Sequence, residues 1–139
     1  MERTESFGAS RRGRKLVWVG WVLSALLALL FGFSGVMKFV GGPELEQGIA
    51  DLGLSMSMVV PLGILELTCL ALFLIPPTSV VGAILLTGYL GGAICTHWRV
   101  GDWFILHIAL GIVIWLAMCL REPRLWALIP LRRKVGRTE

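Results

Sequence analysis

Four long apolar segments run through the chain at residues 16–40, 56–75, 80–96 and 103–120, and they limit what it can fold into. A helix needs about 20 residues, within a range of about 17–25, to cross the hydrocarbon core of a bilayer. Each segment is close to or above that length. Four of them in 139 residues leave no polar helix faces for water, which excludes a water-soluble fold. We therefore predict an all-α protein, a four-transmembrane-helix antiparallel bundle.

The positive charges lie almost entirely outside these segments. Eleven of the thirteen Lys and Arg residues fall before the first segment or after the fourth. Because cytoplasmic flanks carry the excess of Lys and Arg, both termini are predicted to be cytoplasmic, in a prokaryotic plasma membrane. The predicted organisation is a basic cytoplasmic tail (1–15), a four-helix transmembrane domain (16–121) and a basic tail at the inner leaflet or in the cytoplasm (122–139).

This basic balance also raises the question of nucleic acid as a partner. The charges flank apolar spans, and the chain carries no recognisable nucleic-acid-binding module. Membrane topology and attraction to anionic lipids explain the charge better, so we expect the lipid bilayer as a partner and no nucleic acid.

The connections between the segments predict how the spans are joined. Pro43 can begin a short helix that Gly53 ends, which predicts an extracytoplasmic interfacial helix between spans one and two. The two prolines of the 75–78 turn force a tight reversal before span three. Gly88 and Gly92 in span three have the spacing of a helix-packing face. Whether that face contacts another helix of the same chain or a second copy stays open. A homo-oligomer is therefore one of the expected possibilities.

Glu66 is the most informative single residue. It lies ten positions from the outer end of span two, which is about 15 Å deep at 1.5 Å per residue. A carboxyl group at that depth costs roughly 2.5–3.5 kcal/mol on insertion. The eleven Leu, Ile, Val and Phe residues of the same span can offset this, at about 0.3–0.6 kcal/mol each. Glu66 is therefore expected to face the interior of the bundle, either protonated or paired.

Other polar residues lie at related depths and define two candidate groups. The predicted polar pocket consists of Glu66, Thr87, Tyr89 and His107, and the predicted outer-rim polar cluster of Lys38, His97, Arg99 and Asp102. Together they describe a polar path from the outer face to Glu66, suited to proton movement or to recognition of a polar head group. The alternative is a hydrogen bond that only locks span two to span three.

The sequence also contains residue types that can bind haem or a metal ion. His97 and His107 are the two histidines of the chain, and hydrogen bonding is favoured for them over haem ligation. No metal-ligand spacing, phosphate loop or hydrolase triad is present in the sequence, so no metal site is predicted.

Several segments resemble the DoxX-like family. They are residues 34–38 (SGVMK), 64–67 (ILEL), 75–78 (IPPT), 82–93 (GAILLTGYLGGA) and 97–101 (HWRVG), and the resemblance extends over roughly residues 16–132. It implies a small four-helix membrane protein, with polar family positions at Lys38, Glu66, Tyr89, His97 and Arg99. The family's namesake is a subunit of a membrane thiosulfate:quinone oxidoreductase, and other relatives are linked to thiol and oxidative-stress handling.

The residues and the resemblance together give one leading hypothesis and one rival. The leading hypothesis is a membrane subunit or accessory of a quinone- or thiol-linked redox process. It would bind a quinone or another small molecule near Glu66 and Tyr89 and have a soluble or membrane oxidoreductase as its partner. The rival is a non-enzymatic anchor for a partner, or a permeation element for a small solute. Whether the chain is itself an enzyme stays open at this point.

Overall fold

All four apolar segments form helices. The computed structural model describes residues 3–123 and 125, with side chains from residue 13 onward. Within these residues every secondary-structure element is a helix. The α-helices are α1 (Arg3–Val40), α2 (Pro43–Asp51), α3 (Val59–Leu74), α4 (Ser79–Arg99) and α5 (Ile105–Arg121). The segments 13–40, 56–74 and 76–99 are long and apolar enough to cross a membrane, while α5 is apolar but shorter, with 17 residues. The all-α prediction is confirmed.

The two predicted tails differ in what the structure shows of them. The helix α1 begins at Arg3, so the backbone of the predicted N-terminal tail continues the first span as helix. The predicted C-terminal tail, with its expected position on the inner leaflet, lies outside the described residues beyond residue 125.

The short helix α2 forms where Pro43 and Gly53 predict it. Pro43 occupies its first turn, where the missing N–H is not needed, and Glu44 and Glu46 in the same turn interact favourably with the helix dipole. Two residues after Asp51, Gly53 adopts a φ of 65°, which a side chain with a Cβ rarely takes. The chain therefore reverses there and begins α3 after one turn of 3-10 helix.

The α3–α4 connection is equally tight. Pro76–Thr78 forms one turn of 3-10 helix, and the Thr78 hydroxyl donates a hydrogen bond to the carbonyl oxygen of Leu72 at 2.9 Å. A Cβ on Gly82 would overlap the backbone of Phe73. Because Gly82 has no side chain, the two helices make backbone contact immediately after the turn.

The four long helices form a closed ring, in which α1 and α4 each contact both α3 and α5. Their buried apolar side chains form one cluster: Leu27, Phe31, Cys69, Leu70, Phe73, Ala83, Leu86, Leu90, Ile114, Ala117 and Met118. At one end of the ring, called the Arg121 end below, the cluster borders the hydrogen bonds made by Arg121. The opposite end, called the Lys38 end, is hollow.

Arg121 joins three helices at its end of the ring. Its guanidinium group donates hydrogen bonds to the Ser24 hydroxyl at 3.0 Å and to the Phe73 carbonyl oxygen at 3.2 Å. The same group lies 4.1 Å from the centre of the Trp21 ring, a cation–π distance. Arg121 of α5 thus connects the C-terminal end of α3 to Trp21 and Ser24 of α1.

The predicted packing face of span three is not used within the chain. A Cβ on Gly88 or Gly92 would meet no atom within 4 Å. Close approaches of the helices occur instead at Gly82, described above, at Gly35 and Gly63 between α1 and α3, and at Gly20 between α1 and α5. A homo-oligomer stays a prediction.

Candidate functional site

A buried ion pair connects α1 to α3. The Lys38 Nζ atom lies 2.7 Å from Glu66 Oε2, with side-chain exposures of 13% for Lys38 and 2% for Glu66. The Ser34 hydroxyl accepts a hydrogen bond from Lys38 Nζ at 2.9 Å and donates one to Glu66 Oε2 at 3.4 Å. Ser34 and Lys38 are four residues apart and so share one face of α1, the face that meets α3. The buried carboxyl group expected from the sequence is therefore paired.

Two glycines allow α1 and α3 to approach closely enough for this pair. A Cβ on Gly63, one turn before Glu66, would lie 3.1 Å from Lys38 Cβ. A Cβ on Gly35 would lie 2.6 Å from Leu67 Cδ2, too close to be accommodated without movement. Missing side chains on both helices thus place the ammonium and carboxylate groups within contact distance.

A cavity of about 1010 Å³ opens at the Lys38 end and reaches this ion pair. Typical ligand pockets measure about 300–1,000 Å³, so this one is large for a chain of 139 residues. Its walls are mostly apolar, with leucines from α1, α3, α4 and α5. Gly88 and Gly92 also line it, so the absent side chains keep this space open. Tyr89 lines the same cavity as Glu66.

The two histidines meet beside the mouth of the cavity. The rings of His97 and His107 lie 4.5 Å apart between centroids, and both residues line the cavity. His97 Nδ1 lies 2.9 Å from Asp102 Oδ2. The other carboxylate oxygen of Asp102 accepts a hydrogen bond from the Trp103 backbone N–H at 2.7 Å. This bond is the main cause that lowers the pKa of Asp102, and the hydrogen bond with His97 is the second. Rings in mutual contact leave no space for a porphyrin between them, so the pair does not fit bis-histidine haem ligation.

One ring nitrogen of His107 is buried beside the cavity. Its Nδ1 is buried and has no hydrogen-bond partner among the described residues. Because a buried polar atom without a partner costs about 1–3 kcal/mol, this nitrogen marks a position where a ligand or a water molecule can bind.

Two of the predicted site residues lie elsewhere. The Thr87 hydroxyl donates to the Ala83 carbonyl oxygen at 2.7 Å and accepts from Trp115 Nε1 at 3.0 Å, on the exposed side of α4. Arg99 donates to the Leu52 carbonyl oxygen at 2.7 Å and so ties the end of α2 to the end of α4. Neither residue lines the cavity.

Residues of the predicted polar pocket and of the predicted outer-rim polar cluster line the same cavity. Its polar lining includes members of both predicted groups: Glu66, Tyr89 and His107 from the first, and Lys38, His97 and Asp102 from the second. Within the described residues, no group of three or more His, Cys, Asp or Glu side chains could hold a metal ion.

The sequence prediction missed Ser34 and Lys38 as the partners of Glu66, which it sought on span three. Counted from the helix ends of the structure, Ser34 and Glu66 lie at similar depths of about 9 and 10 Å. The apolar segment read from the sequence begins at residue 56 and placed Glu66 deeper, at about 15 Å. Lys38 is one turn above Ser34, and its long side chain can reach the same level.

Comparison with known proteins adds one match. A family model described as the DoxX-like family matches residues 22–120, which is 99 of the 139 residues. The matched range includes every residue of the cavity described above. No curated protein and no solved structure matches the chain.

Proposed function

The chain belongs to the DoxX-like family and is an integral membrane protein, and from this premise we propose that it binds a quinone in the Lys38–Glu66 cavity as a membrane subunit or accessory of a redox process. The observation that carries the proposal is the buried ion pair at the floor of an apolar-walled cavity. The proposal also assigns the chain four spans, with α2 at the extracytoplasmic interface.

Contacts at both ends of α5 support a fourth span. Its 17 residues measure about 25 Å, at the lower limit for crossing the hydrocarbon core. Near its start His107 touches His97 at the end of α4, and at its end Arg121 binds the last turn of α3. The helix α5 therefore covers the same depth as α3, which is itself long and apolar enough to cross.

Four spans place both termini on one side of the membrane. The basic residues then assign the Arg121 end to the cytoplasm and the Lys38 end, with α2, to the opposite face of a prokaryotic plasma membrane. Reporter fusions at the two termini test this assignment. Opposite locations of the two reporters would contradict it.

The cavity offers what a quinone ring requires. The carbonyl oxygens of a quinone accept hydrogen bonds, and Lys38, Tyr89 and His107 can donate them, while the leucine walls cover the faces of the ring. Reduction of a quinone to a quinol consumes two electrons and two protons. In the proposed role the electrons come from a partner oxidoreductase, and protons reach the ring through His97 and His107.

The geometry favours binding over permeation. Below the ion pair the interior is filled by buried side chains, among them Phe31, Phe73, Leu86 and Met118. A solute entering at the Lys38 end would meet this closed core before reaching the Arg121 end. The cavity is therefore a blind pocket, and nothing in its geometry supports a role as an anchor alone.

Thermal unfolding in a nonionic detergent, with and without a short-chain ubiquinone analogue, tests the proposed function. We expect the analogue to raise the midpoint of the wild-type protein, because a ligand that binds only the folded state stabilises it. Glu66→Gln and Tyr89→Phe should reduce this shift. Thr87→Val is the matched control, since Thr87 is a polar residue of α4 that does not line the cavity.

If the analogue does not shift the wild-type midpoint, or shifts all variants equally, the cavity is not a quinone site. Co-purification from native membranes then tests the second half of the proposal. An oxidoreductase that copurifies with the wild-type chain supports the role as subunit or accessory, and its absence under mild solubilisation argues against that role.

A further inference from the structure

The charged residues around the cavity are strongly unbalanced. Four carboxylates line it: Glu44 and Asp51 from α2, Asp102 from the α4–α5 connection, and Glu66 at the floor. Lys38 is the one Lys or Arg side chain of the described residues in this lining, and Glu66 already neutralises it. Three carboxylates at the mouth are thus left without a cation inside the cavity.

A neighbouring cation restores only part of the balance. The guanidinium group of Arg99 binds the carbonyl oxygen of Leu52, which lines the cavity, and so offsets one of the three negative charges. Asp102 lies on the exposed connection, and the Trp103 N–H and His97 keep its pKa below the usual range, so it is ionised at neutral pH. Glu44 and Asp51 are exposed to water at the mouth.

We propose that the mouth of the cavity disfavours anions, so that the preferred ligand is a molecule with a neutral or cationic head group. This inference rests on the proposed quinone site and specifies its ligand class. Small anions and anionic quinones bind more weakly than neutral molecules of the same shape. Neutral quinones enter, and their carbonyl groups reach Lys38 and the open nitrogen of His107.

The expected selectivity depends on salt. Two net unit charges about 10 Å from an anion in water weaken its binding about threefold at 0.01 M salt, where the Debye length is about 30 Å. At 0.15 M salt the Debye length is about 8 Å, which lowers the factor to about 1.5-fold. Steric rejection of a bulky anion would not depend on salt, so this dependence separates the two causes.

The test compares two probes, anthraquinone sulfonate and its neutral hydroxymethyl counterpart, binding to the full-length protein in a nonionic detergent. Affinities are measured at about 10 mM and about 150 mM salt. We expect the neutral probe to bind with little salt dependence and the sulfonate to bind about threefold more weakly at low salt. In Glu44→Gln/Asp51→Asn, the sulfonate should recover most of that difference.

Glu46→Gln is the matched control, because Glu46 is a carboxylate of the same helix that does not line the cavity. It should leave the preference unchanged. Equal binding of both probes at low salt, or a preference that does not change with salt or with Glu44→Gln/Asp51→Asn, overturns this inference and leaves the quinone site standing. Failure of the neutral probe to bind the wild-type protein overturns the quinone site, and the inference with it.

Discussion

Replacing Lys38 by methionine tests the central contact of the structure. At 2.7 Å and an effective dielectric constant of about 20, the gross attraction between Lys38 and Glu66 is about 6 kcal/mol. Removing both charges from water offsets most of that gain. Removing only the cation leaves Glu66, 2% exposed, with the Ser34 hydroxyl at 3.4 Å and Tyr89 in the same cavity. We therefore expect Lys38→Met to lower the free energy of unfolding by about 3–5 kcal/mol.

The loss can be measured by titrating sodium dodecyl sulfate into mixed micelles and following helical content by circular dichroism. A double-mutant cycle isolates the pair: Lys38→Met/Glu66→Gln should be closer to wild type than Lys38→Met alone, with an interaction energy of at least about 2 kcal/mol. Lys15→Met is the matched control, because Lys15 is an exposed lysine of the same helix. It should stay within about 0.5 kcal/mol of wild type.

Two results would refute the reasoning. A Lys38→Met protein within about 1 kcal/mol of wild type would mean that Glu66 is neutral, or reaches water, in the native state. Strictly additive effects in the cycle would mean that the two side chains do not interact.

Three further perturbations have defined outcomes. Gly82→Ala would place a Cβ on the backbone of the preceding helix, so we expect a loss of at least about 2 kcal/mol in the same titration, whereas Gly88→Ala meets no atom within 4 Å and should be neutral or mildly stabilising. Arg121→Met removes a half-buried cation with several acceptors and should cost about 2–4 kcal/mol, with the loss insensitive to quinone. Asp102→Asn tests the lowered pKa of that carboxyl: its ionised form adds stability above the unfolded-state pKa, so the wild-type advantage should decline as the pH falls below that pKa and vanish below the lower folded-state pKa.

Much of the fold could be predicted from the sequence because lipid leaves few alternatives. An apolar segment of membrane-spanning length must satisfy its own backbone hydrogen bonds, and only a helix does so within one segment. Pro43 and Gly53 predicted α2 for an equally local reason, since each residue type favours one end of a helix.

The candidate site was predicted only in part, because depth along a span does not give rotation about its axis. Thr87 lies at a depth close to that of Tyr89, but it points outward to Trp115 while Tyr89 lines the cavity together with Glu66. Lys38 was assigned to the rim from the position of its backbone. Its flexible side chain carries the ammonium group down to Glu66, a distance that residue counting does not include.

The glycines show the same limit for packing. Gly88 and Gly92 have the spacing of a helix contact, yet they border empty space, whereas Gly82 makes the closest approach. Spacing identifies a smooth helix surface. Which surface is covered depends on the partner helix, and the sequence of one segment carries no information about that.

The Arg121 anchor gives the ring unequal mechanical properties along its length. The Arg121 guanidinium group connects three helices at one end of the ring, whereas a cavity separates the helices at the other end. Because local opening takes least free energy where few buried contacts hold the backbone, deuterium uptake should be slowest in the amides around Met118 and Arg121 and faster in those around the cavity.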